Sequence, residues 1–364
     1  MKILHTEWSD GWGGQEIRIL AESLAFIKKG YEITIAAQPK SQLYKKSKQA
    51  GVPTFALKMN KGLNLLAIYS LVKFIKKNKI QIVHTHSSVD SRTAGIAARI
   101  CKIKVVRSRH ISVPISKSFI TYWQYMKLAD KVITTGRDIR NIMIERNKMS
   151  PNKIISAPAG ADTEQFNMER KLKNIRPSYN INEKHFLVGI VSVLRSWKGH
   201  TYLIEAIKIA SKKIPNIHLI IVGDGPQKEF LEKLISNLDI KDKVTLTGYQ
   251  QNPEIFYNAM DIVVLPSYAG EATSQTLPQA MLMGRPVIST SIGGLSEVVI
   301  HNQTGLIVPP KNSNEIYLAI KVLYEDIDLR KKLINNGREH VLKNFTFDKM
   351  VMTTENAYKE VLMI

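Results

Sequence analysis

Twice along this chain, short β-rich runs alternate with longer segments whose apolar residues recur at helical spacing, and this double alternation restricts the fold more than any other feature. In the first half the strand-like runs are 2–6, 32–37, 81–84, 104–107 and 131–135. Segments 15–29, 63–78, 90–101, 117–129 and 137–146 carry one apolar face each and read as helices. From about residue 180 a second series begins, with strands at 186–193, 218–222, 244–247, 262–265, 287–290 and 306–308. These runs are almost wholly apolar, as strands buried on both faces of a parallel sheet are. Helices are expected between and after them at 200–213, 227–238, 253–260, 275–283, 294–300 and 313–325. Strand–helix alternation implies βαβ units and parallel sheets covered on both sides.

The expected fold class is therefore α/β with two doubly wound, Rossmann-like domains facing an interdomain cleft. At 364 residues the chain exceeds the size at which one hydrophobic core usually stops growing. Residues 171–182, polar, aperiodic and holding Pro177, read as a linker between domains 1–170 and 171–346. The tail 329–364 reads as helical with a break near 344–346. In open parallel sheets, ligands bind where strand carboxyl ends meet helix N-termini, so functional residues are sought in those loops.

Composition narrows the function classes. The single cysteine, Cys101, excludes an internal disulfide framework, fits a reducing compartment and reads as a small core residue. The first residues run straight into a strand with no signal-peptide pattern. The most apolar long stretch, 63–75, is interrupted by Asn64, Ser70 and Lys73 and is too short to cross a bilayer. A cytoplasmic protein is expected, with association to the inner face of the cytoplasmic membrane as an option. Residues 1–170 carry 29 Lys and Arg against 12 Asp and Glu, and the remainder 23 against 19, so the excess behind the net charge of +21 belongs to the first half. Such asymmetry points to an anionic partner or to a merely solvated basic face. Near an anionic membrane each exposed Lys or Arg contributes about 1 kcal/mol, so a few of them could localise the chain. A nucleic-acid partner is not expected, because aromatic and basic residues are not interleaved as on single-strand platforms.

Three segments carry candidate chemistry. Gly11-Trp12-Gly13-Gly14 follows the first strand and opens the first helix, where it is either a tight turn or a loop that lets backbone N–H groups approach a phosphate or sugar. It lacks the G-x-G-x-x-G spacing of a dinucleotide fingerprint, as does the second half, which argues against an NAD-dependent dehydrogenase. Arg195-Ser196-Trp197-Lys198-Gly199-His200 places two cations in a strand-to-helix loop, suited to clasping a diphosphate. The third is the run from Glu271 through Ala272, Thr273, Ser274, Gln275, Thr276 and Gln279 to Gly284-Arg285-Pro286-Val287-Ile288. His84 and His86, at i and i+2 of a strand, share a face, but no third ligand lies near them in sequence. Packing and loop hydrogen bonds are therefore preferred to a metal, and no metal site is expected.

On these residues the chain resembles the retaining glycosyltransferases of family four, also called group one, with the GT-B fold. Their E-x7-E signature is met by Glu271 and, in altered form, by Gln279. The stretch Ala280-Met281-Leu282-Met283-Gly284-Arg285-Pro286-Val287-Ile288 resembles the family's A-M-x-x-G-x-P-V-I segment in the same place. Arg107-Ser108-Arg109-His110 at the end of the fourth predicted strand, Pro158-Ala159-Gly160-Ala161-Asp162, Gly223-Asp224-Gly225-Pro226, Thr247-Gly248-Tyr249 and Gly293-Gly294 occur in the family's order. The resemblance implies that Glu271 contacts hydroxyls of the donor sugar, that Gln279 stands where a glutamate holds the nucleotide ribose, and that Arg195 and Lys198 bind the diphosphate. It places His110 in the active site. It assigns Gly13, Gly14, Gly223, Gly225, Gly248, Tyr249, Ser274, Gln275 and Thr276 to donor binding. Ala272 and Ser274 replace glycines common in the family. Implied too are a nucleotide-diphosphate sugar as substrate with no separate cofactor or metal, retention at the anomeric carbon, a cell-envelope glycan or lipid-linked acceptor, and a last helix at about 347–364 packing back on the first domain. A nucleotide-sugar epimerase of the same architecture, or an anion-binding protein without activity, are the alternatives.

Overall fold

Seven parallel strands build the first sheet of the computed structural model, which describes residues 1–62, 64–110 and 114–364. Leu63, where the predicted helix 63–78 begins, lies outside the described residues. The elements run β1 (Lys2–Glu7), α1 (Gly14–Lys28), β2 (Glu32–Ala37), α2 (Gln42–Gln49), β3 (Thr54–Ala56), α3 (Leu65–Asn78), β4 (Ile82–Thr85), α4 (Ser88–Ile100), β5 (Lys104–Arg109), α5 (Phe119–Met126), β6 (Lys131–Thr134), α6 (Arg137–Glu145) and β7 (Ile154–Ser156). The strand order is β3-β2-β1-β4-β5-β6-β7. One core layer joins α3, α4, α5 and α6 to the sheet through Leu71, Ala94, Tyr125 and Met143, and a smaller one joins α1 and α2 through Ile19 and Leu43.

The second unit continues with β8 (Phe186–Val191), α7 (His200–Ala210), β9 (Ile217–Val222), α8 (Lys228–Asn237), β10 (Val244–Leu246), α9 (Pro253–Ala259), β11 (Ile262–Leu265), α10 (Thr276–Leu282), β12 (Val287–Ser289), α11 (Leu295–Val298), β13 (Leu306–Ile307), α12 (Ser313–Glu325) and α13 (Ile327–Asn344). Its six strands are all parallel in the order β10-β9-β8-β11-β12-β13. The last helix, α14 (Phe347–Leu362), belongs with the first sheet, so the units are Met1–Pro158 with Met350–Ile364, and Ala159–Lys349.

Residues 159–170, which the sequence reading placed in the first domain, pack with the second. The Ala159 amide donates to Thr273 Oγ1 at 3.0 Å, and Ala161 pairs with Thr346. A Cβ on Gly160 would lie 2.2 Å from the Thr346 carbonyl oxygen, so only glycine lets these two backbones meet. Segment 171–182 is likewise no free linker. Ile175 and Ile181 are buried in the second core. The guanidinium of Arg176 donates to the Ala259 carbonyl at 2.8 and 3.0 Å and pairs with Asp261 at 3.0 Å, its planar fork satisfying the end of α9.

Helix α14 forms because Met350, Val351, Thr354, Ala357, Tyr358 and Val361 recur at three- and four-residue intervals and line one buried face. Tyr358 packs its ring 5.3 Å from Phe26 of α1. Glu355 accepts from Tyr31 Oη at 2.6 Å and pairs with Lys29, and these partners hold its carboxyl down to about 2.

Three elements, β3, β7 and α2, lie outside what the sequence pattern predicts. Strands β3 and β7 are only three residues long at the two sheet edges, too short to show alternation. Helix α2 is rich in Lys and buries only Leu43 and Ser47, so its apolar face is too narrow to read. With β3 counted, the strand that ends at Arg109 is the fifth rather than the fourth. Cys101 is half-buried at the end of α4 rather than a core residue.

Candidate active site

In the second sheet the connections after β8 and after β11 run in opposite directions, to β9 on one side and β12 on the other. Neighbouring parallel strands whose following loops diverge leave a crevice at their carboxyl ends, where open α/β sheets take ligands. Arg195 and Lys198 come from the loop after β8, and Glu271 from the loop after β11. Seventy-three residues apart in sequence, Lys198 Nζ and Glu271 Oε1 lie 2.5 Å apart in this crevice, and Ser267 Oγ donates to the same Oε1 at 2.7 Å. The side chains of Lys198 and Glu271 are 15% and 6% exposed. Such a pair is desolvated enough for its charges to act strongly on a neighbouring group.

The surrounding loops are locked to one another. Gly199 has φ +79°, and a Cβ there would meet the Pro266 carbonyl oxygen at 2.1 Å, so glycine is needed to close the turn from Lys198 into α7. The Thr276 hydroxyl, in the first turn of α10, donates to the Val191 carbonyl at 2.7 Å, and the Thr276 amide donates to Ser274 Oγ. Arg195 is exposed, with its guanidinium 5.0 Å from the Trp197 ring centroid, and makes no ion pair among the described residues. The structure thus brings Lys198 and Glu271 together and leaves Arg195 at the rim of the same loop. Gln279 accepts from the hydroxyl of buried Tyr257 at 3.2 Å. Burial pushes that phenol well above its ordinary range, so it serves only as a neutral donor or acceptor. Gly223 and Gly225 sit after β9, and Gly248 with exposed Tyr249 after β10, at the same sheet edge. Gln275 lies between the buried Ser274 and Thr276 just ahead of α10.

Two residues escaped the sequence reading. Ser267 orients the Glu271 carboxylate, and His200, beside Lys198, shares a hydrogen bond with Ser192 Oγ at 3.1 Å. Burial, then the Lys198 cation, pushes the His200 imidazole down to about 4, so it is neutral. Both lie within or next to motifs that were recognised, yet only the fold shows whom they touch.

The first sheet has its own point of divergence, between β1 and β4. Parallel pairing sets His5 opposite His84, and His86 follows at the end of β4. His86 Nδ1 lies 3.0 Å from His110 Nε2, and His86 Nε2 lies 3.0 Å from His5 Nδ1. His84 Nδ1 is 2.6 Å from Tyr358 Oη, and its Nε2 is 2.8 Å from Ser108 Oγ. His110 therefore stands at the end of a buried row of imidazoles, which burial drives to the neutral form. Asp90 closes the turn after β4, accepting from Thr6 Oγ1 and from the His86 and Ser87 amides. Gly13 caps α1, with Glu16 reaching back to its amide at 2.9 Å. A Cβ on Gly14 would meet nothing within 4 Å, so packing does not demand glycine there.

The third imidazole that sequence spacing did not supply is His5: the ring nitrogens of His5, His84 and His86 lie within 4.8 Å of one another. Three neutral imidazoles can in general hold a transition metal. Here the ring nitrogens named above have hydrogen-bond partners in one another, Tyr358, Ser108 and His110.

Two doubly wound units with their polar residues at the strand carboxyl ends define a GT-B fold. A family model of glycosyl transferases group 1 matches residues 172–340, and one of glycosyltransferase family 4 matches residues 12–165. The chain belongs to the group 1 glycosyltransferases and is a glycosyltransferase enzyme. Its structure is similar to that of a glycosyltransferase from Rickettsia africae (TM-score 0.91, 23% identity, covering 99% of this chain and 98% of that one). It is also similar to Anabaena HepE in complex with UDP (TM-score 0.87, 20% identity, 99% and 100% covered). In sequence it is 25% identical over 325 residues to the UDP-Gal:alpha-D-GlcNAc-diphosphoundecaprenol alpha-1,3-galactosyltransferase of Escherichia coli, covering 86% of this chain and 84% of the relative.

Proposed function

We propose that the chain moves a sugar, with retention, from a nucleotide-diphosphate sugar to a cell-envelope acceptor carried on a lipid. The carrying observation is the Lys198–Glu271 contact at the divergence of β8 and β11. On this reading Lys198, backed by Arg195, neutralises the departing diphosphate, and no metal is needed for that charge. Glu271 accepts hydrogen bonds from donor-sugar hydroxyls, and Gln279, kept in place by Tyr257, holds ribose hydroxyls without a charge. Retention follows from same-face attack: the bond from the anomeric carbon to the phosphate oxygen breaks as the bond to the acceptor oxygen forms, and the acceptor proton passes to the departing phosphate. His110 hydrogen-bonds the reacting sugar. A panel of nucleotide sugars tests this, since the true donor raises the melting temperature by mass action and is consumed only when acceptor is present. A panel that leaves the melting temperature unchanged, or turnover without acceptor as an epimerase would give, sinks the reading.

The lipid-linked acceptor is supported by the first unit's surface. Leu65, Leu66 and Tyr69 of α3 are 68, 82 and 68% exposed, and Phe119 and Ile120 of α5 are 80 and 60% exposed. Both helices pack on the same core layer. Lys58, Lys61 and Lys73 are exposed around α3, while Lys117, Tyr122, Arg146 and Lys148 line a recess of about 260 Å³ beside α5. Apolar side chains ringed by cations suit an anionic lipid surface at the inner membrane face. No described helix is long and apolar enough to cross a membrane, so the contact would be peripheral. Vesicles containing anionic phospholipid are expected to co-sediment the enzyme at low salt and to release much of it as salt is raised. Equal binding to neutral vesicles, or binding unaffected by salt, would remove the charge from the explanation.

A further inference from the structure

The row of imidazoles has a property that the transfer reaction alone does not require. A neutral imidazole carries one hydrogen, so each nitrogen that donates leaves the other as an acceptor. His110, His86, His5, Tyr358, His84 and Ser108 are linked in that order by contacts of 3.0, 3.0, 3.5, 2.6 and 2.8 Å. A neutral imidazole that accepts at one nitrogen donates from the other, so the placement of the Tyr358 hydrogen sets the direction at each link on either side of it. The Tyr358 hydroxyl has a single hydrogen to place between a 2.6 Å and a 3.5 Å contact. Hydroxyl donors make shorter bonds than N–H donors, so that hydrogen goes to His84 Nδ1. His84 then donates from Nε2 to Ser108 Oγ, and His5 donates from Nε2 to the Tyr358 oxygen. His5 Nδ1 is left to accept from His86 Nε2, and His86 Nδ1 to accept from His110 Nε2.

We infer that this buried chain holds His110 in the Nε2–H tautomer, so that its Nδ1 meets substrate as a lone pair, and that Tyr358 on α14 is the positioning residue that sets the direction. The inference rests on the glycosyltransferase reading in which His110 touches the reacting sugar. Its consequence is that His110 can accept a hydrogen bond or a proton from a substrate hydroxyl but cannot donate one from Nδ1. Burial of His5, His84 and His86 supports the account, because charged imidazoles would break the donor–acceptor alternation.

The test is nitrogen NMR of the full chain labelled with ¹⁵N-histidine, with the His110 signals assigned by their loss in His110→Asn. The expected wild-type result is a protonated Nε2 and an unprotonated Nδ1 at His110. In Tyr358→Phe, which keeps the ring but not the hydroxyl, the His110 signals should move toward a mixture of tautomers. Transfer kcat should then fall by about tenfold, less than the roughly 10²- to 10⁴-fold that a proton-transferring side chain itself contributes, because His110 stays in place and loses only its fixed tautomer, with donor KM little changed. His5→Asn breaks the same chain from the other side and is read in parallel, so that a folding failure in one variant leaves the other to decide. Finding Nδ1 protonated in the wild type, or His110 unmoved in both folded variants, overturns the inference. Stoichiometric zinc retained by the wild type and lost in His86→Gln would also overturn it, since the imidazoles would then be metal ligands. The tautomer is read without turnover, so an enzyme that fails to transfer sugar refutes the proposed function separately from the chain.

Discussion

Lys198→Ala is expected to lower kcat/KM for transfer by about 10²- to 10³-fold, the loss seen when one preorganised charge-stabilising group is removed from a water-poor site. The geometry says why the effect should be large. Lys198 is mostly buried, so its charge is little screened, and it lies in hydrogen-bond contact with Glu271 where the β8 and β11 loops diverge. Deleting the lysine removes a cation from the diphosphate and also leaves the Glu271 carboxylate uncompensated beside an incoming anion. Glu271→Ala should cost a similar factor for a different reason, loss of the acceptor for donor-sugar hydroxyls. The two can be told apart: Lys198→Ala should weaken binding of the free nucleoside diphosphate, whereas Glu271→Ala should weaken sugar-dependent binding and spare the diphosphate. Removing one partner of a buried ion pair costs about 3–5 kcal/mol, and because Ser267 still donates to Glu271 when Lys198 is gone, the loss should fall at the lower end of that range and leave the variant folded. Initial rates with saturating acceptor and a nucleotide titration decide the matter. Wild-type turnover in either folded variant would place the site elsewhere.

The sequence exposed some of this site and hid the rest for a physical reason. Strands β8, β9 and β11 are legible because burial on both faces makes them almost wholly apolar, His218 of β9 being the exception, while the three-residue edge strands β3 and β7 offer no pattern. Lys198 and Glu271 could be picked out singly from their loops, since each lies in a motif after an apolar run. That they touch depends on β8 and β11 being neighbours, a fact of sheet order that no local spacing encodes. The same holds for His5, which meets His84 only because β1 pairs with β4, and for Tyr358, which lies 274 residues from His84 in sequence. Periodicity reads what one element buries. Long-range pairing decides which polar ends converge.

Gly223 and Gly225 illustrate a different limit, and they yield the second large expected effect. A glycine after a strand suggests close ligand approach, but here the close approach is by the chain itself. Gly223 has φ +147°, and a Cβ there would sit 1.9 Å from the Ser192 carbonyl oxygen, while one on Gly225 would press on the Leu194 backbone at 2.7 Å. Backbone hydrogen bonds from Leu194 to Asp224 and from Gln227 to Leu194 clamp the two loops together. Gly223→Ala should therefore destabilise the chain by about 2–6 kcal/mol, the sum of an unfavourable backbone conformation and an overpacking cost. Relief of the clash must push the Ser192 loop outward, and that loop carries Lys198, so survivors should also bind nucleoside diphosphate poorly. Gly248→Ala is the matched control, because it too has positive φ, +71°, but a Cβ there meets nothing within 4 Å. Its cost should be only about 1–2 kcal/mol, that of the left-handed conformation alone. Urea midpoints of the two variants measured side by side test the contrast, and equal midpoints would mean that loop-to-loop packing is not what glycine serves at position 223.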